Sequence, residues 1–168
     1  QVKRSYSSTI LSFAEKDTVI EVYSVMDGKG AKKGKLTVHV IDFKGNVLWE
    51  RKVNMAMESD KSQLQLSVSK SIFKNLDTSS IVVRAIFRDS NNTDSVQAHY
   101  FLVKPKNLQL SKPTFVLRKL NANTYSVKSD NLAVGVQLFV NSSKGIGSEF
   151  ADNYFDLLPG EVKYIHLK

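Results

Sequence analysis

The sequence contains no cysteine, which excludes a disulfide framework, a thiolate metal site and a cysteine nucleophile. Tryptophan occurs once, so an aromatic sugar platform would have to be built on Trp49 with Phe43 or Tyr6. No apolar run approaches the roughly 18 residues that suggest a membrane-spanning helix. No segment carries the i, i+3, i+4, i+7 stripe of an amphipathic helix. No signal-peptide pattern opens the sequence: Gln1-Val2-Lys3-Arg4-Ser5-Tyr6, without Met, passes straight into polar residues. The expectation is a processed or excised piece whose export signal, if any, lies outside it. A periplasmic or secreted location is favoured for a bacterial source.

What is present is ordinary for a soluble globular protein, with 42% hydrophobic and 24% charged residues. A length of 168 residues fits one mid-sized domain or two small ones. The net charge of +8 invites a nucleic-acid reading. Only Lys29 to Lys35 is dense, however, and it reads as a solvated loop between two strands, with phosphate binding as the weaker alternative. Neither nucleic acid nor a membrane is an expected partner.

The dominant signal is period-two alternation bounded by turn residues. Leu36, Val38 and Val40 alternate with Thr37 and His39; Leu64, Leu66 and Val68 alternate with Gln63, Gln65 and Ser67. Ile81, Val83, Ala85 and Phe87 share a face, as do Val96, Ala98, Tyr100 and Leu102. With Thr9–Phe13, Thr18–Met26 and Asn46–Val53 these make about seven strands, the count of an immunoglobulin-like sandwich. Phe43-Lys44-Gly45-Asn46 predicts a tight hairpin, with Gly where positive φ is cheap. Asp89–Asp94 reads as a polar loop. Ser71–Asp77 allows one helical turn capped by Ser71. Pro105 and Pro113 mark a short extended linker or edge strand. Beyond it come Phe115 and Leu117, Tyr125 and Val127, then Leu132, Val134, Val136, Leu138 and Val140 as the cleanest alternation in the chain. The last strand sets Val162, Tyr164 and His166 against Lys163, Ile165 and Leu167. The expected fold is therefore all-β, two immunoglobulin-like β-sandwich domains in tandem, at 1–106 and 107–168. The second is near the size where a single core becomes marginal.

The segment Gly147–Glu161 ends Phe-Ala-Asp-Asn-Tyr-Phe-Asp-Leu-Leu-Pro-Gly-Glu. Asp152-Asn153 can hold a bend through side-chain bonds, and Tyr154, Phe155 and Leu157 offer apolar anchors. Leu158-Pro159-Gly160-Glu161 has the central residues of a type II turn. This stretch resembles the closing segment of the β-mannosidase branch of glycoside hydrolase family two, and Leu132-Ala133-Val134-Gly135-Val136 resembles that family's penultimate strand. Upstream, Ile20–Asp27 and Leu36–Gly45 continue the likeness, except that Met26 stands where the family commonly has Asn. The resemblance implies C-terminal accessory domains of a retaining β-mannosidase whose two catalytic carboxylates lie on a TIM barrel. The implied partners are the catalytic and other domains of the parent chain, with mannoside at a domain edge as a secondary contact.

Searched for chemistry, the residues offer no catalytic, cofactor or metal site. Asp152 and Asp156 are tempting as a carboxylate pair, but turn capping explains them. His39, His99 and His166 sit singly on strands, without the convergent ligands zinc needs. No Gly-x-Ser-x-Gly elbow occurs, and a serine nucleophile would need a base beside it. Val47, Trp49, Arg51 and Val53 share a face that reads as core before it reads as a sugar platform. Asn91-Asn92-Thr93 and Asn141-Ser142-Ser143 fit the glycosylation pattern, a short motif that recurs by chance.

Overall fold

A computed structural model describes residues 8–27, 30–91, 95–142, 145–147, 150 and 152–167. The chain divides into two compact units. Of the described residues, one takes Ser8 to Asp42 and Val47 to Leu108, and the other takes Gln109 onward with the turn Phe43–Asn46. No helix among the described residues is long and apolar enough to cross a membrane.

The N-terminal unit is a sandwich of two antiparallel sheets. β1 (Thr9–Glu15), β2 (Val19–Met26) and β5 (Lys61–Ser69) form one sheet, in the order β1-β2-β5. β3 (Ala31–Asp42), β4 (Val47–Glu58), β6 (Ile81–Asp89) and β7 (Ser95–Tyr100) form the other, in the order β4-β3-β6-β7. Alternation places Ile20 and Val22 from the first sheet against Leu36, Val38, Val40, Val83, Ala85 and Phe87 from the second, all buried in one cluster. Each large side chain removed from water there contributes about 1.5–3 kcal/mol. Met26, the departure from the family's Asn, is buried in that cluster. An unbranched thioether fills a core gap there. The 43–46 turn is the expected hairpin, with Gly45 at φ +97°.

Several local expectations are corrected. Lys32, Lys33 and Lys35 lie in β3, not in a loop. Ladder bonds between backbones do not need apolar side chains, so a strand of Lys and Gly shows no alternation to read. Lys33 and Lys35 point outward, and Lys32 donates to Thr9 Oγ1 at 3.2 Å. Gly34 permits close approach of β3 and β6, because a Cβ there would sit 2.1 Å from the Arg88 carbonyl oxygen. Leu64 does not share the face of Leu66 and Val68. A bulge in β5 opposite Val22 and Tyr23 turns it to solvent. The helical turn is 3₁₀, Lys70–Phe73, and its N-cap is Ser69, whose hydroxyl accepts from the Ser71 N–H. Pro105 opens a 3₁₀ turn, Pro105–Asn107, in place of a fully extended linker. In β4, Leu48 is skipped by the pairing, and only Trp49 and Val53 of the supposed core face pack on the core, Val47 and Arg51 being exposed.

Polar links tie the two sheets of this sandwich, Lys32 to Thr9 and Gln65 to the Ala56 carbonyl among them, and a further one lies at the end of β1. Glu15 at the end of β1 accepts from Lys70 Nζ at 2.6 Å and from the Tyr100 hydroxyl of β7. The Lys70 bond, then the Tyr100 bond, holds the Glu15 carboxyl below its usual range. Burial, then the Glu15 carboxylate, pushes the Tyr100 phenol up to about 12. A raised phenol pKa adds stability that is complete below the unfolded value of about 10 and disappears as pH rises through the folded one. Phenolate absorbance should therefore show a component titrating near 12 that is absent in Tyr100→Phe. A titration in which every tyrosine of the native protein ionises together near 10 would remove this link.

The C-terminal unit contains β8 (Phe115–Lys119), β9 (Thr124–Ser129), β10 (Ala133–Val136), β11 (Val140–Ser142), β12 (Gly145–Gly147), β13 (Phe155–Leu157) and β14 (Val162–His166). β14-β9-β8 make a three-stranded sheet, while β10-β13 and β11-β12 pair separately. β8 is exposed along its whole length, so Phe115 and Leu117 do not enter a core as their alternation suggests. The run from Leu132 to Val140 is not one strand. Leu132 and Ala133 are both buried, Val134 is exposed, and Gly135 breaks the pleat at φ +65°. On β14 the buried residue is Ile165, while Val162, Tyr164 and His166 face solvent. Among the described residues the core cluster here is small: Val127, Ala133, Phe150, Phe155, Leu157 and Ile165.

Candidate functional site

The closing segment sets several polar side chains on specific partners. β13 meets β10 at only two positions, Ala133 opposite Leu157 and Val136 opposite Phe155, with a register shift between them. Side chains replace the ladder bonds that this irregularity removes. Asp156 Oδ1 accepts the Gly135 N–H at 3.0 Å. Asn153 Oδ1 accepts the Leu138 N–H at 2.7 Å, and its Nδ2 donates to the Leu138 carbonyl at 3.1 Å. One amide thus satisfies both backbone groups of Leu138, as a neighbouring strand would. Glu161 Oε2 accepts the Leu158 N–H at 3.3 Å. Asp152 pairs with Lys163 Nζ at 2.9 Å, and the same ammonium lies 4.7 Å from the centre of the Phe155 ring.

Apolar residues anchor the other side of the bend. Phe155, Leu157 and Leu158 are buried, and Phe150 meets Tyr125 edge to face at 5.8 Å. Tyr154 departs from the expectation of an apolar anchor. It is 49% exposed at φ +58°, a left-handed conformation that a bulky residue rarely adopts, and its hydroxyl accepts from Gln137 Nε2. The Leu158–Glu161 turn has the expected form: Gly160 is at φ +76° and the Glu161 N–H bonds the Leu158 carbonyl at 3.1 Å.

Asp152 and Asp156 are therefore employed on different partners, one on a lysine and one on a backbone amide. The three histidines divide as follows. His166 Nδ1 bonds Thr124 Oγ1 at 3.1 Å. His39 and His99, in contrast, lie on either side of Arg84 in one cross-strand row. His39 Nε2 meets Glu50 Oε2 at 2.8 Å, while its Nδ1 is buried with no partner among the described residues. Lys52, then His39, holds the Glu50 carboxyl below its usual range. Among the described residues no group of three His, Cys, Asp or Glu could hold a metal. Trp49 packs on the core and Phe43 is buried, so they form no exposed platform; Tyr6 lies outside the described residues. Both glycosylation patterns extend outside them, at 92–93 and 143.

Residues 18–107 match the model of the mannosidase Ig/CBM-like domain family, and residues 103–168 match an Ig-fold domain model. The first match covers more than half of the chain, which belongs to the mannosidase Ig/CBM-like domain family. Its two units are immunoglobulin-like domains of the kind found in mannosidase-type proteins of glycoside hydrolase family two. No curated protein matches the sequence. Among solved structures, the β-D-mannosidase of Dictyoglomus thermophilum is similar over 99% of this chain at 19% identity, with a TM-score of 0.79. The Amycolatopsis orientalis exo-chitosanase CsxA is similar over 93% at 15% identity, with a TM-score of 0.65. At such identities the likeness is one of fold. The chain spans 20% of the first protein's length and 23% of the second's.

Proposed function

We propose that this chain forms the non-catalytic C-terminal accessory domains of a retaining β-mannosidase, packing against the catalytic and other domains of the parent enzyme. One observation carries the reading: the carboxylates and the amide of the closing segment are occupied in holding β10, β13 and β14 together. Retaining hydrolysis needs an acid/base and a nucleophile about 5–5.5 Å apart in one pocket. A barrel to carry them needs roughly 250 residues, more than the 168 here. The mannosidase family match and the likeness to a β-D-mannosidase support mannoside as the parent's substrate class.

The isolated chain is expected to show no turnover of a chromogenic β-mannoside at high protein concentration. Turnover above a matched blank that survives repurification and is lost in Asp152→Asn or Asp156→Asn would overturn the reading.

A further inference from the structure

The outward face of the β4-β3-β6-β7 sheet carries a groove of about 780 Å³, wholly within the N-terminal unit. Its cations are Lys33, Lys35 and Arg88, all exposed. Lys35 on β3 stands directly opposite Arg88 on β6, and on its other side opposite Asn54 of β4. Like charges directly opposite on neighbouring strands destabilise a sheet. Proteins commonly relieve such a pair with a nearby carboxylate. Here none of the three cations forms an ion pair with a described carboxylate. Asp89, the acidic residue at the groove, alternates to the opposite face of β6. Lower on the same sheet, Lys52 pairs with Glu50, and Arg84 donates to the Gln97 amide oxygen at 2.7 Å.

The spacing suits a ligand with repeated anionic groups. Lys33 and Lys35 lie roughly 7 Å apart along β3, and Arg88 is roughly 5 Å to the side on the next strand. An arginine fork can take a carboxylate or sulfate through two parallel bonds, while the lysines supply point charges. The Asn54 amide adds a donor and acceptor of the kind that hydroxyl groups use. No aromatic ring lines the groove on which nucleic-acid bases could stack.

We infer that Lys33, Lys35 and Arg88 form a binding groove for an acidic polysaccharide bearing carboxylate or sulfate groups. The choice of a polysaccharide rests on the glycoside-hydrolase reading; the anionic character rests on the groove alone.

The test is titration calorimetry of the full chain at low salt with an oligouronate, a sulfated dextran, neutral mannan and duplex DNA. Binding is expected for the uronate, the sulfated glycan or both, whichever anion the groove accepts, and not for mannan. Lys35→Gln/Arg88→Gln should weaken it at least about tenfold, the loss of one charge-assisted contact or more. Lys119→Gln/Lys128→Gln, which removes the same charge from the other unit, should change it less than about twofold. The groove variant should melt no lower than the parent chain, since it removes a repulsive pair. If it does not fold, Lys33→Gln alone should still weaken binding while the control pair does not. Equal losses in both double variants, DNA bound as tightly as the glycan, or no binding of either acidic glycan would overturn the groove. These failures leave the accessory-domain reading standing, and turnover in the mannosidase assay would leave the groove standing.

Discussion

Phe155→Ala is expected to unfold the C-terminal unit while the N-terminal sandwich keeps its own melting transition. Phe155 is 1% exposed and, among the described residues, sits in a cluster of six buried side chains with Val127, Leu157 and Ile165. Its ring also carries the Lys163 ammonium. Truncating a buried Phe typically costs about 3–5 kcal/mol. A whole domain has about 5–15 kcal/mol of stability, and a unit this small lies low in that range. The loss is therefore comparable to everything the unit has. Pro159→Ala, which mainly relaxes the unfolded chain, should cost about 1 kcal/mol or less. Thermal melts with hydrogen exchange resolved by segment would decide the matter: protection should vanish in 115–166 and persist in β3 and β6. Unchanged protection in β9 and β14 would show that Phe155 is not the anchor.

The second large effect belongs to Asn153. Asn153→Ala removes the acceptor of the Leu138 N–H and the donor to the Leu138 carbonyl together. Leaving a buried polar group without a partner costs about 1–3 kcal/mol, and the site is partly buried, so about 2–4 kcal/mol is expected for the two. Asn153→Asp is the informative companion. It preserves the acceptor but turns the donating end into a second acceptor facing a carbonyl, so it should recover little. Denaturant melts of the three proteins should rank Asn above Asp and Asp near Ala. An Asn153→Asp variant as stable as the parent would mean that only the Leu138 N–H bond matters.

The sandwich was legible where each strand has one buried face, as in β2, β3 from Leu36 to Val40, and β6 from Val83 onward. It was illegible where a bulge or a side chain replaces regular pairing. Leu64 falls on the expected face by counting, yet one extra residue in β5 moves it to the other. The Leu132–Val140 run looks most regular of all, and there the backbone is instead tied by Asn153 and Asp156, 15 and 21 residues away from their partners. No local pattern encodes such distances. At Lys32–Lys35 the strand exists because both neighbours supply ladder partners, while the side chains read as a loop. In the closing segment, turn chemistry and family resemblance together revealed a corner. Which side chain secures which backbone group, and that Tyr154 faces outward, depended on the fold.

β8 has a further consequence. Paired on one side only among the described residues, it presents Phe115, Val116 and Leu117 beside a row of unused backbone donors and acceptors. Such an edge is a template for adding a strand from another molecule. The basic pair that ends it, Arg118 and Lys119, sets like charge against like charge in a parallel, in-register pairing with a second copy. Salt that leaves the core untouched weakens that repulsion, so this edge is guarded less by charge as ionic strength rises.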